Sequence, residues 1–212
     1  MKKYTTIIWD FNGTLVDDVY AALGAVNDML TRRDQKIITI DDYYKAVDTT
    51  ICKFYEQVFT PGTITPEEAI AEFATGYDKH IKSEPLMEGA NQVLSYLASL
   101  HKTQLVVSAS HIDKVTSRLD SLGVMDYFQK VLALTDYNAG DKTFLAQRYI
   151  TDNGISSDDV VVIGDCVVDW QMSKNLHCDC ILNTKGHQSR REFSVTDALI
   201  IDSLLELKNI IK

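Results

Sequence analysis

Six short runs of apolar, largely β-branched residues each stop abruptly at a polar residue or a glycine. This pattern restricts the fold more than any other feature of the chain. The runs are Tyr4–Trp9, Gln104–Val107, Lys130–Leu134, Asp159–Ile163, Cys178–Leu182 and Ala198–Ile201. They lack the alternation of a half-exposed strand. Near-continuous apolar strands suit a parallel sheet covered by helices on both faces. Helical stripes lie between them: Val93, Leu94, Leu97 and Leu100; Ile112, Val115, Leu119 and Leu122; and Leu204, Leu205, Leu207, Ile210 and Ile211. Strand–helix alternation from about residue 85 onward predicts a doubly wound α/β sheet. Local start signals agree. Thr65 with Glu68, and Ser110 with Asp113, read as capping boxes, the first with Pro66 opening the helix. Asp141 is placed to cap a helix beginning at Lys142.

The stretch 17–84 breaks this rhythm. Val19, Leu23, Val26 and Leu30 repeat at helical spacing, and Asp41–Phe59 and Pro66–Lys82 also read as helices. The expected organisation is an α/β core from residues 1–16 and 85–212, with a helical insert over 17–84. The hinges fall at Val16–Asp18 and Ser83–Leu86. A chain of 212 residues fits one large domain carrying such an insert. The net charge of −9 repels phosphate backbones and argues against general nucleic-acid binding. No apolar run approaches the roughly 20 residues of a membrane helix, and an acid arrives at Asp10, too early for a signal peptide. A cytoplasmic location is therefore expected, with Cys52, Cys166, Cys178 and Cys180 as reduced thiols. The Trp9 and Trp170 rings are expected to pack rather than to recognise a ligand.

Open parallel sheets bind ligands beyond the carboxyl ends of their strands. There the sequence places Asp10-Phe11-Asn12-Gly13-Thr14 after the first strand, Ser108 after the second, Lys142 at a helix start, and Gly164-Asp165 with Asp169 after the fourth. Asp10 and Asp165 on neighbouring strand tips repel unless a cation separates them. Hard carboxylate oxygens suit Mg²⁺. Lys142 adds positive charge where phosphoryl transfer accumulates negative charge. Ser108 and the helix-opening N–H groups beyond it make an anion cradle, and Gly13 permits a turn that a side chain would block. Asp10 is then available as a carboxylate nucleophile forming an aspartyl-phosphate.

With these motifs in order along nearly the whole chain, the sequence resembles the haloacid dehalogenase (HAD) superfamily. The likeness is strongest to members with a small helical cap, phosphoglycolate phosphatase-like and β-phosphoglucomutase-like. The resemblance implies a Rossmann-like parallel-sheet core with an inserted α-helical cap domain, Mg²⁺ as cofactor and a small phosphorylated metabolite as partner. Asp10-Phe11-Asn12-Gly13-Thr14-Leu15 matches the first motif, Val106-Val107-Ser108 the second, Lys142 the third, and Gly164-Asp165 with Asp169 the fourth. The implied catalytic residues are Asp10, Asn12 and Lys142. The implied phosphate-binding residues are Ser108, Ala109, Lys142, Gly13 and Thr14, and the implied metal ligands are Asp10, Asn12, Asp165 and Asp169.

One departure matters. The family's first motif usually reads D-x-D-G-T, and here Asn12 stands at the second acid. Its backbone carbonyl still suits a metal, but a neutral amide cannot exchange protons, and losing a general acid–base typically costs roughly 10²–10⁴-fold. The expected function is Mg²⁺-dependent hydrolysis of a small phosphomonoester, slow or restricted to good leaving groups, with His111 a candidate substitute proton donor. The alternatives are a Mg²⁺/phosphate-binding regulatory protein with little turnover, and a β-phosphoglucomutase-like phosphotransferase. The insert is expected to set the substrate through groups such as Arg32, Arg33, Lys45, Lys53 and Tyr55. A monomer or weak homodimer is expected.

Overall fold

The computed structural model describes residues 3–47, 51–81, 85–135 and 142–212. In chain order the elements are β1 (Thr6–Trp9), α1 (Val19–Thr31), α2 (Ile40–Ala46), α3 (Ile51–Val58), α4 (Pro66–His80), α5 (Ala90–Ser99), β2 (Thr103–His111) and α6 (Ile112–Ser121). There follow β3 (Lys130–Leu134), α7 (Lys142–Asp152), β4 (Val160–Gly164), α8 (Val167–Asn175), β5 (Asp179–Asn183), β6 (Leu199–Ile201) and α9 (Leu207–Ile210). All six sequence-predicted strands form. They make one parallel sheet in the order β3-β2-β1-β4-β5-β6, a Rossmann-like α/β fold.

The apolar runs read as buried on both faces because they are. Ile7 and Trp9 face one core layer with residues of α5, α6 and the C-terminal segment. Ile8 faces the other with residues of α7 and α8. All three are fully buried. Trp9 does pack, as expected, and its indole N–H donates to Gln104 Oε1 at 3.1 Å. The sheet order reverses between β1, which pairs with β2 on one side, and β4 on the other. That reversal opens a crevice between the tips of β1 and β4.

Between β1 and β2 the four helices α1–α4 bury their own apolar cluster, with Val26, Met29, Leu30, Phe54 and Phe59 inside. Thr65 and Glu68 form the expected capping box ahead of Pro66. The two passages connecting this insert to the sheet lie side by side. Met87 N–H donates to Leu15 O at 2.8 Å, and Asp17 N–H to Pro85 O at 3.1 Å.

Three expectations shift. Asp41–Phe59 is two helices, because Val47 turns extended after α2 and its carbonyl is taken by Gln188 Nε2 at 2.9 Å. Ser110 does not cap α6. His111 occupies that position, its Nδ1 accepting from Asp113 N–H at 3.3 Å, while Ser110 is used at the strand tips. The C-terminal stripe is a 3₁₀ turn over Leu204–Glu206 followed by the single turn of α9. The proposed cap at Asp141 and the hinge residues Ser83 and Glu84 lie outside the described residues. Cys166, Cys178 and Cys180 are free thiols. Among the described residues, no helix is long and apolar enough to cross a membrane.

Candidate active site

β1 delivers Asp10 to the crevice, where its N–H donates to Ile163 O of β4 at 2.8 Å. α7 begins with Lys142, whose ammonium donates to Asp10 Oδ1 and, at 2.7 Å, to Asp169 Oδ1. Asp169 is fixed by the start of α8. Its Oδ2 reaches back to the N–H groups of Asp165 and Cys166, at 3.1 Å each, in the way an acid in the first helical turn commonly does. Asp165 accepts from Thr14 Oγ1 and from His187 N–H, both at 2.7 Å. Asp10, Lys142, Asp165, Asp169 and Thr14 are all buried.

Gly13 is required where it stands. Its φ is +74°, and a Cβ there would overlap Asp165 Oδ2 and lie 2.5 Å from His187 Cδ2.

Three carboxylates share this space with one ammonium. Burial pushes the Asp10 carboxyl well above its ordinary range; Lys142 pulls it down, while Asp169 and Asp165 add to the rise. Asp165 is raised for the same leading reason, with His187 opposing. Burial works against the Lys142 ammonium, but Asp10 and Asp169 more than offset it and hold the amine protonated. One ammonium thus faces three acids, and burial in this company makes Asp10 and Asp165 harder to ionise.

Ligand atoms of Asp165, Cys166 and Asp169 lie within 4.8 Å of one another. Burial and the neighbouring carboxylates push the Cys166 thiol up. The hard donors are the carboxylates, which fit a cation such as Mg²⁺ rather than a soft metal.

Ser108 is buried in β2, at the point where the pairing with β3 shifts register before His111. Its Oγ accepts from Ser110 N–H at 3.1 Å, which leaves the hydroxyl proton available to an anion. Ala109 is exposed beside it.

The Asn12 side chain contacts Asp18 and Tyr77, with Nδ2 2.7 Å from Asp18 Oδ2 and 2.8 Å from the Tyr77 hydroxyl. His111 is committed to the start of α6, its Nε2 lying 3.1 Å from Thr135 O. The insert residues expected to recognise substrate are largely structural. Arg32 and Arg33 pair with Glu72 at 2.5 and 2.6 Å, and Tyr55 is buried with its hydroxyl 3.3 Å from Ala69 O.

Sequence reasoning missed Asp18, Tyr43, Tyr77 and His187. His187 follows β5, so the strand-tip rule applied to that strand would have found it. Asp18 sits at the N-cap position of α1, yet its side chain makes no cap hydrogen bond. Instead its Oδ1 accepts from Gly13 N–H at 2.7 Å and lies 3.2 Å from His187 Nε2. Burial would raise Asp18, but His187, Tyr77 and Asn12 bring it below the ordinary range. Burial would lower His187, but Asp18 pushes it up to about 9.

With this geometry in view, the comparisons with known proteins are decisive on kinship. A family model described as haloacid dehalogenase-like hydrolase matches residues 7–183. The chain belongs to that family. Among solved structures, a haloacid dehalogenase-like family hydrolase from Streptococcus pneumoniae is 15% identical, covering 99% of this chain and 100% of its own, with TM-score 0.84. A predicted phosphoglycolate phosphatase from Haemophilus somnus is 15% identical over 99% of both chains, with TM-score 0.80. CbbY from Rhodobacter sphaeroides, solved in complex with xylulose-(1,5)bisphosphate, is 15% identical over 96% of both chains, with TM-score 0.74. At these identities the likeness establishes the fold. No curated protein sequence matches the chain.

Proposed function

We propose that this HAD-family hydrolase removes the phosphoryl group from a small phosphomonoester through an aspartyl-phosphate on Asp10, with Mg²⁺ as cofactor. The observation that carries the reading is the Lys142 ammonium bridging Asp10 and Asp169 beside Asp165. Asp10, Asp165, Asp169 and the Asn12 carbonyl would hold the Mg²⁺, which would neutralise phosphate charge when bound.

Lys142 engages Asp10 Oδ1, and no hydrogen bond is made to Oδ2 among the described residues, so that oxygen serves as the nucleophile. Lys142 also balances the charge that builds on the transferring group, and Ser108, Ala109, Gly13 and Thr14 line its cradle. Residues 17–84 act as the cap, excluding bulk water when closed over the strand tips.

Asn12 supplies no proton, and this favours substrates with good leaving groups, such as acyl or aryl phosphates. The same observation supports a second reading, a Mg²⁺- and phosphate-binding protein with little turnover. An aryl-phosphate assay with Mg²⁺ separates the two. Turnover lost in Asp10→Asn supports the hydrolase. No turnover, but protection by inorganic phosphate against heat, supports the binding protein.

A further inference from the structure

Both polar atoms of the Asn12 side chain are engaged. Nδ2 donates toward Asp18 Oδ2 and the Tyr77 hydroxyl, while Oδ1 accepts from Ser110 Oγ at 2.9 Å. Tyr77 in turn donates to the same Asp18 oxygen. The second Asp18 oxygen meets Gly13 N–H and His187 Nε2, and His187 Nδ1 lies 2.9 Å from the Tyr43 hydroxyl. A continuous polar chain thus runs Ser110–Asn12–Asp18–His187–Tyr43, with Tyr77 joining at Asp18.

The ends of this chain belong to different parts of the fold. Ser110, Asn12 and His187 come from the strand tips, whereas Tyr43 and Tyr77 come from α2 and α4 of the insert. Gln188 adds a second tie, accepting from Val167 N–H at 2.6 Å and donating to Val47 O at 2.9 Å.

We propose that Asp18 and Tyr77 are positioning residues that fix residue 12 and fasten the helical insert over the strand tips, and that an amide at position 12 is what this fastening requires. A carboxylate can only accept. An acid at position 12 would face the Asp18 carboxylate with only the single Tyr77 hydroxyl proton to serve both, and buried like charges in contact repel strongly. Position 12 in this chain is a structural donor matched to Asp18. The inference stands on these contacts whatever the chain hydrolyses.

The test is a double-variant cycle on the full chain with chelator present. It compares Asn12→Asp, Asp18→Asn, the pair together and Tyr77→Phe. The readout is amide hydrogen exchange in segments 11–19, 40–46 and 66–80. Asn12→Asp is expected to speed exchange about tenfold. Adding Asp18→Asn, which returns a donor to the contact, is expected to slow it again. Tyr77→Phe, the mildest change, is expected to speed exchange less. Overturning results are wild-type exchange in Asn12→Asp and Tyr77→Phe, or a double variant whose exchange equals the sum of the single effects. Aryl-phosphate turnover, measured separately, reads the hydrolase proposal and leaves this outcome untouched.

Discussion

Replacing Lys142 with Met removes a buried ammonium from between two buried acids and keeps most of its volume. Lys142 is 9% exposed, Asp10 7% and Asp169 1%, so water cannot readily take over the role of the cation. Breaking a buried ion pair by deleting one partner typically costs about 3–5 kcal/mol. The lower end applies here, because Asp169 keeps its hydrogen bonds from the Asp165 and Cys166 N–H groups. At about 3 kcal/mol, a chain of this size loses roughly 6–12 °C in melting temperature. The measurement is a thermal melt in chelator, repeated with Mg²⁺. If the three acids hold the cation, Mg²⁺ recovers more stability in Lys142→Met than in the wild type, because it relieves a larger uncompensated charge. Aryl-phosphate turnover should fall about 10²–10³-fold, the usual loss for a stabilising donor at a charge-developing centre. A variant that melts with the wild type in chelator, or keeps turnover within a few-fold, refutes the reasoning.

Gly13→Ala forces an L-residue to φ +74° and drives its Cβ into Asp165 and His187. The backbone cost alone is about 1–2 kcal/mol, so the melt should fall and Mg²⁺ should stabilise the variant less than the wild type. His187 gives a pH signature. Its pKa rises from 6.5 to about 9 on folding, so the protonated form favours the folded chain. That contribution, about 3 kcal/mol, is complete below pH 6.5 and fades as pH climbs to 9. Urea titrations across this window in chelator should show the decline in the wild type and a flatter profile in His187→Gln; equal slopes would contradict the pairing with Asp18.

The strands were legible because burial on both faces leaves little room for polar residues, and five of the six runs end within a residue of their strands, while β2 continues past Val107 to His111. The chemistry at those ends was legible for the same reason: Asp10 and Asp165 are the first polar residues beyond β1 and β4, and Ser108 is the first after the apolar run of β2. Lys142 was legible as the opening residue of α7. The fastening of the insert was not. Tyr43 and Tyr77 lie on helices whose aromatic residues mostly fill the insert's own core, and nothing in their spacing separates a hydroxyl aimed at the strand tips from a packed ring. Asp18 carries the signal of a helix cap, but its carboxylate is drawn into the site by Gly13, Asn12 and His187. The break after α2 falls where the polar run Asp48-Thr49-Thr50 interrupts the apolar pattern, a signal the single-helix reading passed over, and the Val47 carbonyl there meets Gln188.

The central claim is that Asp10 itself accepts the phosphoryl group. Rapid quenching during aryl-phosphate turnover, borohydride reduction and peptide mass spectrometry test it directly. The account predicts homoserine at position 10 in the wild type and none in Asp10→Asn. Steady turnover with residue 10 unmodified, or with the label on another side chain, would contradict it.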